Sequence, residues 1–205
     1  ESEKIREHNA DYLGNILDVK HGSVTEHPMV NFIFTGVSRV FTHELIRHRV
    51  GRAYDDRDEV ENGLLREVMT FFPNLVDGTA VSQESLRFVR FDDVGFWYPA
   101  EIRDNPEALS IAQQKVALDE YYQRLLINAL GIEKMTKFKD KKKATSAIRR
   151  FVGMGVATNV GWSANPRTIR HCIEMRTDPG AEEEMRVVYG HVARFVIQRY
   201  PNLFG

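Results

Sequence analysis

The sequence predicts an α+β fold that is rich in helices and contains few strands. Apolar residues recur at helical spacing in several long stretches, and only residues 29–35 combine β-branched and aromatic side chains between two breakers, Pro28 and Gly36. The chain has 205 residues, of which 42% are hydrophobic, so it can bury a core of its own. These three observations favour a single domain over residues 1–205.

The first helix is expected over residues 3–19. Its apolar side chains lie roughly on one helical face and are Ile5, Tyr12, Leu13, Ile16 and Leu17. The segment His21-Gly22-Ser23 interrupts the helical pattern before the strand expected at 29–35. The chain therefore opens as a helix, a break and a strand.

The second helix is expected over residues 38–50. Val37, Phe41 and Leu45 recur at spacing four, and Ser38 is a residue type that caps helix starts. The segments that follow are a charged and polar stretch at 52–62, a short helix near 60–70 that ends at Phe71-Phe72-Pro73, and mixed loop and strand over 78–99.

The second half of the chain should be mostly helical. Its predicted segments are a long helix over 107–130 that ends at Gly131, a basic loop at 137–143, a helix near 143–152 and a helix near 165–175. The last helix is expected to begin at Asp178-Pro179, as N-cap and first-turn proline. Its buried stripe would comprise Met185, Val188, Val192 and Phe195.

Charge and cysteine content exclude several classes of protein. The net charge is −1, so no global basic field draws the chain to nucleic acid or to a membrane, and local arginines must hold any anionic ligand. Cys172 is the only cysteine, which excludes an intrachain disulfide and fits a reducing compartment, so we expect a cytoplasmic protein. No apolar run approaches the roughly 20 residues that span a bilayer.

A first charged cluster lies in the segment from Thr42 to Arg49. Glu44, Arg47 and His48 are three and four residues apart, which places them on one face of a helix. A solvated helix face with an internal ion pair explains this pattern, and so does an arginine clamp for a phosphate, because guanidinium has a planar donor fork. A zinc site is excluded, because His43 and His48 lie five residues apart, about 140° around a helix.

Two further clusters combine hydroxyls with arginines. Ser85 lies beside Arg87 but not in a Gly-x-Ser-x-Gly elbow, which favours a donor to an anion over a hydrolase nucleophile. The segment from Asn165 to Arg176 carries Arg167 and Arg170 at helical offset, a pattern that a surface helix also explains. The absence of a Gly-x-Gly-x-x-Gly motif and of a Walker loop disfavours a Rossmann domain and a P-loop ATPase.

Taken together, these clusters resemble the signature of the flavin-dependent thymidylate synthases, in which Arg-His-Arg is followed by seven or eight residues and then Ser-x-Arg-Tyr. Arg47-His48-Arg49 is complete here. When residues 52–78 are set aside, eight residues separate Arg49 from Ser85-Leu86-Arg87-Phe88, with phenylalanine where tyrosine is usual. Other segments that match the family pattern are His21 to His27, Phe32 to Arg39, Thr42 to Arg49, Asn165 to Arg176 and Ala181 to Arg186.

The resemblance implies a helix-rich fold with a small antiparallel sheet, in one catalytic domain that carries an insertion near 52–78. It implies the reductive methylation of dUMP to dTMP. A methylene group passes from methylenetetrahydrofolate to C5 of dUMP, reduced FAD supplies the hydride, and NADPH re-reduces the flavin. Members of the family are homotetramers whose sites are shared between subunits.

The resemblance also assigns residues to the site. The residues that would bind dUMP are Arg39, Glu44, Ser85, Arg87, Arg149 and Arg176. The residues that would line FAD are Ser23, Arg47, His48, Arg49, Asn165 and His171. Arg176 would act at a uracil carbonyl where charge develops, and Ser85 would orient the substrate rather than attack it. No metal ligand is expected.

The chain departs from the family pattern at three places. A strand that precedes the opening helix in the family has no counterpart in these residues, and Val152-Gly153 stands where Leu-Pro is usual. Residues 52–78 interrupt the signature itself and are rich in aspartate and glutamate, so we expect them to point away from an anion site. A tolerated loop insertion also explains the segment, because added loop length costs little closure entropy.

Two other functions stay open. A related enzyme that methylates C5 of UMP in nucleoside antibiotic biosynthesis would share the fold, and an insertion beside the pyrimidine site motivates this alternative. A catalytically inactive protein that binds a nucleotide or a flavin would also carry these motifs, if the insertion splits the site.

Overall fold

The computed structural model describes residues 8–19, 22–46, 79–85 and 95–205. The helices in these ranges are α1 (Asn9–Asp18), α2 (Arg39–Leu45), α3 (Ala100–Arg103), α4 (Pro106–Ala129), α5 (Phe138–Ile148), α6 (Pro166–Arg176), α7 (Glu183–Arg199) and α8 (Pro201–Phe204). The strands are β1 (Val30–Ser38), β2 (Thr79–Gln83) and β3 (Ala157–Ala164), and short 3-10 helices cover Gly22–Glu26, Ile132–Lys134 and Arg149–Phe151. The prediction of a helix-rich α+β fold is confirmed. The helix expected near 60–70 and the insertion at 52–78 lie outside the described residues.

The three strands form a small antiparallel sheet in the order β1-β3-β2, with β3 in the centre. The sequence pattern missed β3, because its alanine, glycine and serine residues conceal its alternation. Burial makes that alternation visible: Thr158, Val160, Trp162 and Ala164 are buried at every second position. The central strand of the sheet is therefore recognised by its burial pattern and not by its residue types.

β1 extends further than the sequence predicts. Gly36 was expected to end the strand, but β1 continues to Ser38. Gly36 has a φ of +70°, a left-handed conformation that glycine adopts without a steric penalty, so the strand passes through it. The predicted cap of α2 is confirmed, because Ser38 Oγ accepts the backbone N–H of Phe41 at 3.1 Å.

The basic segment at 137–143 is helical rather than a loop. α5 begins at Phe138 and ends at Ile148, so the helix predicted near 143–152 starts earlier and ends sooner than expected. Lysine has a good helix propensity, and the lysine side chains can reach solvent from the helix surface. The charge run therefore did not mark a loop.

The last helix does not begin at Asp178-Pro179. Asp178 Oδ1 accepts the N–H of Gly180 at 2.7 Å and closes a turn, as the sequence Asp-Pro-Gly favours. α7 begins at Glu183, and Glu182 Oε2 caps it by accepting the N–H of Met185 at 3.1 Å. A glutamate in place of the usual capping residues explains why the sequence pattern missed this start.

The chain divides into two compact units. The α4 unit comprises the described residues in Ile33–Leu45 and Ser82–Val160. The α7 unit comprises the described residues in Glu1–Phe32, Ile46–Val81 and Gly161–Gly205. A single catalytic domain over the whole chain stays a prediction.

The core of the α7 unit is built around Trp162, whose ring stacks on Phe32 with centroids 5.4 Å apart and meets Tyr189 edge-on at 5.6 Å. The buried stripe of α7 is Met185, Tyr189, Val192 and Val196. The predicted stripe was therefore partly wrong: Phe195 is 49% exposed and touches Phe32 only at its edge.

The core of the α4 unit places Phe41 of α2 against Phe34 of β1, with ring centroids 5.5 Å apart in an edge-on contact. Leu45, Ile132 and Ile148 are buried in the same unit. Burial of these side chains stabilises the unit by about 1.5–3 kcal/mol for each large apolar residue. The packing of Phe41 and Leu45 fixes α2, which carries Arg39 and Glu44, two of the residues predicted to bind dUMP.

Candidate active site

Arg39 begins α2, and the chain around it fixes its position. The backbone N–H groups of Arg39 and Val40 donate to the carbonyl oxygen of Met154 at 2.9 and 3.2 Å. Together with the cap from Ser38, these bonds satisfy N–H groups that the first turn of a helix leaves without partners. The backbone of Arg39 is therefore fixed at the start of α2.

The Arg39 guanidinium lies near two other charged residues of the α4 unit. Its Nη2 donates to the carbonyl oxygen of Glu84 at 3.2 Å, and its Nε is buried without a hydrogen-bond partner among the described residues. Burial lowers the pKa of Arg39, the Glu84 carboxylate raises it, and the positive charge of Arg149 lowers it. Since arginine stays protonated in proteins, two cations act on one another here, an arrangement that suits an anionic ligand.

Glu84 and Asn159 are joined through both backbone and side chains. The N–H of Glu84 donates to the carbonyl oxygen of Asn159 at 2.9 Å, and Asn159 Nδ2 donates to Glu84 Oε2, also at 2.9 Å. Asn159 Oδ1 accepts the N–H of Gly36 at 3.2 Å. Asn159, on the central strand β3, therefore fixes the main chain and the carboxylate of Glu84 and ties both to β1.

The residue that precedes Glu84 is also bonded to α2. Gln83 Nε2 donates to Thr42 Oγ1 at 3.0 Å, and Thr42 Oγ1 donates to the carbonyl oxygen of Arg39 at 3.1 Å. Ser85 follows Glu84 directly and is half-buried, as is Glu44 on α2. A polar surface with hydroxyl, carboxylate and guanidinium groups results.

The predicted flavin residues that the structure describes lie in the α7 unit. Asn165 Oδ1 accepts the N–H of Thr168 at 2.8 Å and caps α6, and the residue is 5% exposed. Ser23 is exposed in the 3-10 helix Gly22–Glu26, which contacts α6. His171 is exposed on α6. Two packed elements therefore present polar side chains to solvent.

Arg167 and Arg170 have structural partners in the α7 unit. Arg167 Nη1 forms an ion pair with the carboxylate of Glu26, and Arg170 Nη1 donates to the carbonyl oxygen of Leu203 at 2.7 Å. The first bond links α6 to the 3-10 helix that carries Ser23, and the second holds α8. These two arginines of the motif therefore position elements of the fold.

Arg176, at the end of α6, is half-buried and acts on the buried thiol of Cys172 and the buried hydroxyl of Tyr189. Burial raises the pKa of Cys172 to about 12. Burial also raises the pKa of Tyr189 well above its ordinary value, and the charge of Arg176 opposes both shifts. The thiol is therefore protonated and inert at neutral pH, so Cys172 is not a candidate nucleophile.

The structure separates the predicted site residues by unit. Arg39, Glu44, Ser85 and Arg149 belong to the α4 unit, and Ser23, Asn165, His171 and Arg176 belong to the α7 unit. Arg47, His48, Arg49 and Arg87 lie outside the described residues. Sequence reasoning missed Asn159, because a lone asparagine in a strand of small residues carries no motif.

Other kinds of site find little support. Within the described ranges, no three His, Cys, Asp or Glu side chains form a group that could hold a metal ion. An open, mostly apolar pocket in the α4 unit, lined in part by Phe96, Val116 and Val156, contains none of the predicted site residues. None of the helices described by the structure is long and apolar enough to cross a membrane.

The fold is that of a helix-rich α+β protein, and each of its two units carries a cluster of polar and arginine side chains. The family model described as thymidylate synthase complementing protein matches residues 1–202. The flavin-dependent thymidylate synthase of Mycolicibacterium gilvum is 30% identical over 200 residues, which cover 96% of this chain and 69% of the relative. That of Mycobacterium avium is 31% identical over 204 residues, with the same coverage of each chain. The chain therefore belongs to the flavin-dependent thymidylate synthase family.

Solved structures agree with the fold. The flavin-dependent thymidylate synthase from Helicobacter pylori, in a crystal structure complexed with FAD and dUMP, has a TM-score of 0.61 to this chain at 16% sequence identity. The match covers 99% of this chain and 84% of that one. The fold that the signature implies is thus confirmed.

Proposed function

We propose that this protein catalyses the reductive methylation of dUMP to dTMP, with methylenetetrahydrofolate as carbon donor and with FAD and NADPH as redox cofactors. Membership of the flavin-dependent thymidylate synthase family supports the class of reaction. The Helicobacter pylori relative, complexed with FAD and dUMP, supports the choice of these two ligands.

The observation that carries the nucleotide proposal is the effect of Arg149 on Arg39. The positive charge of Arg149 opposes the charge of Arg39, and an anion bound beside Arg39 would offset this repulsion. Arginine forks match phosphate oxygens, and the half-buried Ser85 adds a hydroxyl donor on the neighbouring segment. We assign Arg39, Arg149, Ser85 and Glu44, with Arg87, to dUMP.

The flavin would lie against the 3-10 helix Gly22–Glu26 and α6. Ser23 and His171 are exposed on these packed elements and are available to a polar ligand, so the residues present fit FAD. Asn165 caps α6 and would fix the start of that helix beside the ligand. When bound, reduced FAD supplies the hydride that completes the methyl group. Arg47, His48 and Arg49 complete the proposed flavin set.

Arg176 and Ser85 would act on the uracil ring. Arg176 would stabilise the negative charge that develops on a carbonyl oxygen as C5 becomes nucleophilic. Ser85 would donate a hydrogen bond that orients the uracil ring. The family signature places no general base beside this serine that would activate it as a nucleophile. The enzyme would be a cytoplasmic homotetramer with sites shared between subunits.

The absorption spectrum of FAD-loaded protein tests this function. We expect a bound flavin band that NADPH bleaches under anaerobic conditions, and faster bleaching when dUMP is present. Failure to bind flavin on titration would instead support an inactive nucleotide-binding protein. Turnover on dUMP and UMP separates the two substrates, because equal or better use of UMP would assign the enzyme to UMP methylation.

A further inference from the structure

We propose that Glu84, held in place by Asn159, opposes additional negative charge on a nucleotide bound at Arg39 and thereby favours a monophosphate over a diphosphate. The inference rests on the proposed function, because it takes dUMP as the ligand of Arg39 and Arg149. It assigns Glu84 as a specificity-determining residue and Asn159 as a positioning residue.

The position of the Glu84 carboxylate is set by its hydrogen bonds. Asn159 Nδ2 holds Oε2 at 2.9 Å, and the other end of the Asn159 amide accepts the N–H of Gly36 at 3.2 Å. The main chain of Glu84 is fixed from both sides, by the Asn159 carbonyl oxygen at 2.9 Å and by Arg39 Nη2 at 3.2 Å. An exposed glutamate would otherwise sample several rotamers, whereas this one has a defined place.

The carboxylate acts on the same guanidinium that the nucleotide would use. The charge of Glu84 stabilises protonated Arg39, and the charge of Arg149 destabilises it. The three residues therefore contribute two positive charges and one negative charge. Glu84 contacts Arg39 through its carbonyl oxygen, so its carboxylate does not consume the guanidinium donors and influences a ligand only through its field.

The field of one carboxylate opposes a ligand in proportion to the ligand charge. A nucleoside monophosphate carries nearly two negative charges at neutral pH, and a diphosphate carries about one more. In a solvated site, one unit charge several ångströms away changes the affinity about threefold for each unit of ligand charge. Removing the Glu84 charge should therefore help dUDP more than dUMP.

The affinities of the FAD-loaded protein for dUMP and dUDP, measured by calorimetry at low and high salt, test the inference. Glu84→Gln keeps the shape of the side chain and the hydrogen bond from Asn159 but removes the charge. We expect Glu84→Gln to bind both nucleotides more tightly than the wild-type protein does. At low salt, its preference for dUMP over dUDP should be about threefold smaller than that of the wild type, and at high salt the difference should be smaller still. Glu101→Gln, at an exposed position of α3 in the same unit, is the matched control and should leave the preference unchanged.

Asn159→Ala tests the positioning role. Asn159 is exposed, and the variant keeps the backbone bond to Glu84 while it releases the carboxylate. We expect a narrowed preference that lies between those of the wild-type protein and Glu84→Gln. A structural role alone would lower stability without moving this ratio.

The outcomes separate the two claims. If the wild-type protein binds dUMP, and Glu84→Gln has the same preference for dUMP over dUDP as the wild type, the inference about Glu84 is overturned. The proposed function is then unaffected. Loss of dUMP binding in Glu84→Gln also overturns it, because Glu84 would then be a direct ligand of the nucleotide. Wild-type protein that binds neither nucleotide overturns the proposed function and this inference together.

Discussion

Arg39 Nη2 lies 3.2 Å from the carbonyl oxygen of Glu84, so the first residue of α2 is bonded directly to the residue that precedes Ser85. This bond joins two segments that are 45 residues apart in the sequence. It uses Nη2, and Nε is buried, so a ligand would approach Arg39 from the Nη1 side. The same residue therefore joins two segments of the α4 unit and, in the proposed function, contributes charge to the nucleotide site.

Arg39→Lys should weaken dUMP binding by about tenfold or more, because lysine keeps the charge but lacks the donor fork, and a hydrogen bond to a charged group contributes about 1.5–3 kcal/mol. Calorimetric titration of dUMP measures the effect. Arg103→Lys is the control, since Arg103 is an exposed residue that pairs with Asp104 at 3.2 Å. Equal dUMP affinity in Arg39→Lys and wild-type protein would remove Arg39 from the substrate site.

Ser85→Ala should lower kcat/KM for dUMP by about 10- to 100-fold, the loss expected for a hydrogen bond to a substrate group that becomes charged. Steady-state dTMP formation measures this change. Ser110→Ala, in which an exposed bond to Gln114 is lost, should leave the rate unchanged. A Ser85→Ala variant with no activity above background would point to a covalent nucleophile instead.

Arg176→Ala should lower kcat by about 100- to 1,000-fold, because the loss falls on charge that develops in the transition state. The affinity for dUMP should fall less than kcat, and Arg176→Lys should recover part of the rate. Arg199→Ala, at the exposed end of α7, serves as the control. An unchanged kcat in Arg176→Ala would exclude this role.

A comparison of two asparagine caps distinguishes an effect on folding from an effect on flavin binding. Asn105 Oδ1 accepts the N–H groups of Glu107 and Ala108, each at 3.1 Å, and Asn165 caps α6 in the same way. Substitution of either by Ala should cost about 1 kcal/mol of unfolding free energy. Only Asn165→Ala should also weaken FAD binding, measured by flavin fluorescence. Equal flavin affinity in the two variants would remove Asn165 from the flavin site.

Stability should fall at alkaline pH. Burial raises the pKa of Cys172 to about 12, above the ordinary thiol value near 9. Between these values the unfolded thiol has lost its proton and the folded one has kept it, so the unfolded state binds fewer protons and the unfolding free energy decreases as pH rises. Tyr189, whose pKa burial also raises, adds to the loss at higher pH.

Urea unfolding at pH 7, 8, 9 and 10 checks this expectation. The slope contributed by one such group approaches about 1.4 kcal/mol per pH unit. Cys172→Ala should be less stable at pH 7 because a buried side chain is truncated, yet its stability should depend less on pH between 8 and 10. An equal pH dependence in both proteins would contradict the assignment to Cys172.

The fold class and most helices follow from the sequence, because periodic apolar residues and caps are local signals. Ser38 capped α2 as expected, and the long helix predicted over 107–130 corresponds to α4. The start of α7 and the strand β3 were missed for physical reasons. Asp178 forms a turn instead of a cap, and the strand character of β3 comes from the packing of residues such as Trp162.

The candidate site shows the same division. Arg39 and Ser85 were found through a sequence motif, and the charge relation between Arg39 and Arg149 agrees with their common assignment. Asn159 was not found, because its role arises only when β3 pairs with the strands on either side of it. Its contacts to Gly36 and Glu84 span more than 70 residues each, a distance over which composition and periodicity carry no information.

The most direct test of the central claim is the nucleotide product of the FAD-loaded protein after incubation with dUMP, methylenetetrahydrofolate and NADPH, identified by mass spectrometry. We expect dTMP, formed only when all three are present and lost in Arg39→Ala. Unaltered dUMP under these conditions, with a fully reduced flavin, would contradict the proposed reaction.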